Sequence, residues 1–202
     1  MYPITDCRLT GLSHTQQVSR LIEGGASLIQ LREKHRSPSE FYDDASAALA
    51  LAREHDVLLL INDRVDITLA LGADGVHLGQ YDMPIPEARV LLGRSAVIGV
   101  STHTVGQAEL ATSLPIDYLA FGPVFPTASK EDHEPVAGLQ QLHTVRQKTT
   151  GMRLVAIGGI TYENMRSAFE AGADSVAVIG AVLSNPAKIA QNFSRLNDRA
   201  HL

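Results

Sequence analysis

Short runs of Val, Ile and Leu recur along the chain, and stretches whose apolar residues return at helical spacing separate them. The runs predict eight strands: residues 2–6, 27–33, 57–63 and 75–79 in the first half, then 96–102, 118–125, 153–159 and 175–182 in the second. Runs such as "VLLLI" are continuous where a half-exposed strand would alternate. That is the pattern of strands covered on both faces, and it calls for a parallel sheet with helical crossovers. "SPSEFYDDASAALALAREH" reads as one crossover helix, with Ser37 at the N-cap, Pro38 in the first helical position and Glu40 at the capping-box position. A last helix is expected over 186–199, fading into a polar tail.

Three segments echo one another: "EGGASLIQ", "LGADGVHL" and "AGADSVAV" each place glycine and alanine between a helix end and the next strand. Glycine there can take the left-handed conformation that ends a helix and starts the return to the sheet. Eight strand–helix units in 202 residues leave ~25 residues per unit, the compact end of the (β/α)8 TIM barrel. The expectation is therefore an α/β fold, a single barrel domain over residues 1–202 with no linker. A doubly wound open sheet is the alternative. It would leave two edge strands, and no segment carries the charge or proline that guards an edge.

Composition narrows the function classes. A net charge of −5 lacks the basic excess that nucleic-acid binding uses, and no apolar run reaches the ~20 residues that span a bilayer. The single cysteine, Cys7, excludes an internal disulfide and fits a reducing compartment, so a cytoplasmic protein is expected, with neither nucleic-acid nor membrane partners.

If the runs are barrel strands, their carboxyl ends share one face, where barrel enzymes place their chemistry. Polar residues gather there: "QLREK", "IND", "HLGQYD", "GVSTHT", "GPVFPTASKED" and "AIGGI". Asp63 and Asp82 follow adjacent strands and should converge over the mouth. Two carboxylates together raise one pKa, whereas Mg2+ would accept both. The bland reading makes Asp63 a helix N-cap before "RVDITLAL" and Asp82 a turn residue before Met83 and Pro84. Arg32, Lys34 and Lys130 on the same face shift the balance, because such cations with a divalent ion hold a diphosphate. At "AIGGITYEN", Gly158 and Gly159 suggest a second anion site at a helix start, with Gly180 beside it; a tight turn is the alternative. His77 reads as a packed or lumen-facing residue, and His103 is undecided. No zinc-ligand spacing and no nucleophile triad can be assigned.

At these loops the sequence resembles the thiamine phosphate synthase family. The shared motifs are "QLREK" (30–34), "INDRVDITLA" (61–70), "GADGVHLGQYD" (72–82), "GVSTHT" (99–104), "GPVFPTASKED" (122–132) and "AIGGI" (156–160). The resemblance implies a transferase that joins hydroxymethylpyrimidine diphosphate to hydroxyethylthiazole phosphate, with Mg2+ as cofactor and pyrophosphate as leaving group. It assigns Gln30 to the pyrimidine, and Arg32, Lys34, Asn62, Ser101 and Lys130 to the diphosphate; of these Arg32, Lys34, Lys130 and Ser101 would serve catalysis. Asp63 and Asp82 would hold the metal. Thr127, Ser129, Gly159, Ile179 and Gly180 would receive the thiazole phosphate. The family usually has threonine at position 129, which keeps the hydroxyl, and serine at position 180, which glycine does not replace. Loss of diphosphate leaves a pyrimidine-methyl cation that the thiazole nitrogen captures, so no protein nucleophile is needed. The alternatives are a thiazole tautomerase of the same superfamily, which has histidine at the position of Pro123, and a non-catalytic thiamine-pathway binding barrel. The expected partners are the two small substrates; a homodimer is left open, as is the choice of plain or carboxylated thiazole.

Overall fold

A computed structural model describes residues 1–127 and 134–200 of the chain. Eight strands form: β1 Tyr2–Thr5, β2 Leu28–Leu31, β3 Leu58–Asn62, β4 Gly75–Leu78, β5 Val97–Thr102, β6 Tyr118–Phe121, β7 Leu154–Ile157 and β8 Ser175–Val178. Each pairs in parallel with the next, and β1 returns to β8 through Tyr2 opposite Ala177 and Pro3 opposite Val178. The sheet is thus a closed barrel, which removes the edges that the open-sheet alternative would expose.

The helices among the described residues are α1 Cys7–Thr10, α2 His14–Glu23, α3 Pro38–Glu54, α4 Val65–Leu71, α5 Ile85–Leu92, α6 Val105–Ala111, α7 Gly138–Lys148, α8 Met165–Glu170, α9 Gly180–Leu183 and α10 Ile189–Ala200. Helix α3 shows how sequence sets them. The Ser37 side chain accepts from the Glu40 amide while Glu40 reaches back to the Ser37 amide, and Pro38 occupies the first turn. Phe41, Ala45, Ala48, Leu49 and Ala52 then fall on one stripe and are buried against the barrel. Replacing Phe41 by alanine would cost about 3–5 kcal/mol. Each echoed turn contains a glycine with positive φ: 87° at Gly25, 62° at Gly72 and 105° at Gly172. No helix among the described residues is long and apolar enough to cross a membrane.

Most strands are trimmed by a residue or two at one or both ends relative to the hydrophobic runs, and the largest departures are at three elements. β6 stops at Phe121 instead of continuing to 125, because Pro123 and Pro126 bring no N–H to a ladder. β8 stops at Val178, where the chain turns into α9 instead of running on to 182. The last helix starts at Ile189, after a 3-10 turn at Pro186–Lys188 that Asn185 caps.

Candidate active site

The carboxyl ends of the strands surround a cavity of about 920 Å3. Asp63 reaches it through an unusual backbone. Among the described residues it is one of two non-glycine residues with positive φ, at 64°, and the Arg64 amide folds back onto the Asn62 carbonyl at 2.8 Å. The Asp63 amide meanwhile donates to the His77 carbonyl at 2.8 Å, holding the turn against β4. Aspartate tolerates this region better than most residues, yet such a conformation persists only where the surroundings enforce it. Asp63 is not a helix cap: Arg64 occupies the N-cap of α4 and no side chain caps it.

Asp82 does take a turn role, since its Oδ2 accepts from the Gly79 amide at 2.7 Å. It also lies within hydrogen-bonding reach of Asp63. Burial, and then the neighbouring Asp63 carboxylate, push its pKa up, while Lys34 and the Gly79 amide act against them. The structure therefore brings the two carboxylates of β3 and β4 together. Lys34 forms an ion pair with Asp63. Arg32 pairs with Asp6 at 3.1 Å, and both side chains are mostly buried. Asp6 is in turn fixed by accepting from the Arg8 and Leu9 amides at the start of α1.

Asn62 and Ser101 also line the cavity. The Ser101 hydroxyl lies 2.8 Å from His77 Nε2, and Gln80 donates to the Ser101 carbonyl at 2.6 Å. Gln30 lies deeper, 1% exposed, and its amide nitrogen has no hydrogen-bond partner. His103 stands at the rim with Nδ1 2.6 Å from the Gly122 carbonyl oxygen. On the opposite wall, Thr127, Gly159, Ile179 and Gly180 face the same cavity. Ser129 and Lys130 lie outside the described residues.

The Gly158–Gly159 segment differs from the expected helix start. Helix α8 begins only at Met165. Both glycines have positive φ, and a Cβ would come 2.5 Å from Pro123 at Gly158 and 2.3 Å from the Pro126 carbonyl oxygen at Gly159. They let the loops after β6 and β7 nest, as the tight-turn reading expects, and both still line the cavity. Gly180, by contrast, does open helix α9.

Sequence reasoning passed over Asp6, Tyr2 and Tyr118. Asp6 had a signal, because it ends "YPITD" just as Asp63 ends "VLLLIND". The tyrosines had none, since their contacts depend on barrel closure. Among the described residues, Cys7, His14 and Asp44 form the one cluster of three donors close enough to share an ion. Its chemistry is structural. Asp44 accepts from the His14 and Thr15 amides, the Thr15 hydroxyl and Arg36, and burial pushes the Cys7 thiol up to about 12.

Fold and site together define a (β/α)8 barrel whose strand ends carry paired carboxylates, an arginine and a lysine around one ligand-sized cavity. More specifically, the chain belongs to the thiamine monophosphate synthase family, whose model matches residues 1–182. A thiamine-phosphate synthase from Methanospirillum hungatei is 44% identical over 187 residues, 92% of this chain and 90% of the relative. One from Syntrophomonas wolfei is 45% identical over 184 residues, 91% of this chain and 88% of its own. Among solved structures, a thiamine phosphate pyrophosphorylase from Pyrococcus furiosus superposes with a TM-score of 0.88 at 36% identity, covering 99% of this chain and 94% of that one. An orotidine 5'-phosphate decarboxylase from Pyrococcus horikoshii, at 14% identity and a TM-score of 0.65, shares the fold.

Proposed function

We propose that this chain is a thiamine-phosphate synthase that couples hydroxymethylpyrimidine diphosphate to hydroxyethylthiazole phosphate and releases pyrophosphate. The observation that carries the reading is the meeting of Asp63, Asp82, Lys34, Arg32 and Ser101 at one mouth, in a chain of this family. The donor set fits Mg2+: two carboxylate groups from adjacent strands, of which Asp82 has its pKa raised by burial and by Asp63, are short of positive charge. Asp63 and Asp82 would hold the ion, which when bound would neutralise charge on the departing diphosphate.

The remaining steps belong to side chains. Lys34 and Arg32 would each turn from a carboxylate partner toward diphosphate oxygens, as charge-assisted donors. Asn62 and Ser101 would donate to the same group. Gln30 offers a buried amide N–H near the Tyr118 hydroxyl with no close-range acceptor, suited to a ring nitrogen of the pyrimidine. Thr127 and the backbone at Gly159, Ile179 and Gly180 would seat the thiazole phosphate across the cavity, placing its ring for capture of the cation. Ser129 and Lys130 take their roles, in thiazole-phosphate binding and diphosphate departure, from the family resemblance. Pro123 lines the cavity where the tautomerase alternative would present an imidazole.

The test is incubation of the protein with both substrates, with and without Mg2+. Thiamine phosphate and pyrophosphate should appear in equal amounts only when all three are present. A tautomerised thiazole without pyrophosphate would favour the isomerase reading, and tight binding without product the non-catalytic one.

A further inference from the structure

A hydrogen-bonded chain crosses the barrel lumen and ends at Ser101. The Tyr2 hydroxyl lies 3.4 Å from the Tyr118 hydroxyl, Tyr118 lies 2.8 Å from His77 Nδ1, and His77 Nε2 lies 2.8 Å from Ser101 Oγ. Tyr2, Tyr118 and His77 are 5%, 7% and 5% exposed, so the chain is buried along its length. Packing locks the geometry. The Tyr118 ring stacks on His77 at 5.5 Å and meets Tyr2 edge-on at 6.0 Å. Tyr118 also fills the space left by Gly99, where a Cβ would come 2.1 Å from the Tyr118 Cζ.

The direction of the chain follows from donor satisfaction. Among the described residues, the Tyr2 hydroxyl has Tyr118 as its hydrogen-bond partner and no other. If Tyr118 donated to Tyr2, the Tyr2 hydrogen would be buried without an acceptor, the costly arrangement. Tyr2 therefore donates to Tyr118, and Tyr118 donates along its shorter contact to His77 Nδ1. Burial raises both phenol pKa values, that of Tyr2 to about 12, so both hydroxyls keep their protons. An imidazole that accepts at Nδ1 carries its hydrogen on Nε2, and it donates that hydrogen to Ser101 Oγ. The Ser101 hydrogen is then left to point elsewhere, and Ser101 lines the cavity.

We propose that Tyr118 is a positioning residue: it fixes His77 in the Nε2–H tautomer and thereby turns the Ser101 hydroxyl into a hydrogen-bond donor toward the anion in the mouth. The catalytic consequence rests on the assignment of Ser101 to the leaving diphosphate; the tautomer does not. With the opposite tautomer Ser101 would donate back to His77 and offer the ligand only lone pairs.

The experiment is long-range 1H–15N NMR of histidine-labelled protein without substrates, with the His77 signals assigned by their loss in His77→Asn. The wild type should show an unprotonated Nδ1 and a protonated Nε2. Tyr118→Phe removes only the hydroxyl, and should move His77 to the other tautomer or a mixture. It should also lower kcat for pyrophosphate release roughly tenfold, the scale of one hydrogen bond, while the KM for the pyrimidine diphosphate changes less than about twofold. An Nδ1–H signal in the wild type, or an unchanged tautomer in Tyr118→Phe, overturns the proposal. An Nε2–H wild type with a fully active Ser101→Ala enzyme would instead overturn the placement of Ser101 in the reaction.

Discussion

The two ends of the barrel use aspartate in opposite ways. At the amino ends of the strands, Asp74, Asp117 and Asp174 each stand one residue before a strand and accept the backbone amide of the strand alongside. Asp74 takes Leu59 at 2.7 Å, Asp117 takes Ile98 at 2.8 Å and Asp174 takes Leu154 at 2.7 Å. Asp117 and Asp174 are further paired with Arg89 and Arg146. At the carboxyl ends, Asp63 and Asp82 crowd each other instead, one on a strained turn and the other with its pKa raised by burial and by its neighbour. The first set spends its lone pairs on strand amides, whereas the second lines the cavity, with Asp82 held by the Gly79 amide and Asp63 paired with Lys34. A carboxylate placed against another carboxylate, with backbone strain to keep it there, is costly for folding and suits cation binding.

The largest expected effect breaks the mouth. Asp63→Asn and Asp82→Asn should each reduce turnover at least ~100-fold and raise the Mg2+ concentration needed, with the barrel still folded by circular dichroism. Asp174→Ala should do the reverse. It removes an acceptor shared by the Leu154 amide and Arg146, worth about 1–2 kcal/mol, and should lower Tm by ~3–6 °C while the folded enzyme keeps its kcat.

A finer contrast comes from Asp82 alone. A carboxyl whose pKa is raised by folding contributes stability below its unfolded value of 3.8, and loses that contribution as pH rises through the folded value. In Mg2+-free buffer near pH 7, Asp82→Asn should therefore raise Tm slightly, by ~1–2 °C, since the group is part-exposed. The gain should vanish under acid conditions where both carboxyls are protonated, and thermal scans across pH would check it. The smallest effect is at Gly180, which opens α9 without a positive φ. Gly180→Ser should lower the KM for the thiazole phosphate several-fold and leave that for the pyrimidine diphosphate alone. Steady-state kinetics on both substrates would show a selective change in the wrong KM if Gly180 faced the other ligand.

The same contrast explains what was legible in the chain. Continuous aliphatic runs marked all eight strands, because burial on both faces leaves no alternation to misread. Strand ends were overextended at Pro123 and Gly180, where apolar composition continues after the ladder stops. The glycines of "LGADGVHL" and "AGADSVAV" were readable as turns, but the aspartates beside them were not, since their acceptor role requires the neighbouring strand. Asp63 and Asp82 stood out because barrel topology sends every strand end to one face. The Tyr2–Tyr118–His77–Ser101 chain joins β1, β4, β5 and β6, so no local pattern could announce it.

The division of labour between the two ends is tested most directly by Mg2+ titration of pyrophosphate release in Asp63→Asn and Asp174→Ala, measured side by side at a temperature where both are folded. Asp63→Asn should give a strongly weakened, right-shifted Mg2+ curve, and Asp174→Ala a curve that overlays the wild type. Equal shifts in both variants, or an unshifted curve for Asp63→Asn, would contradict it.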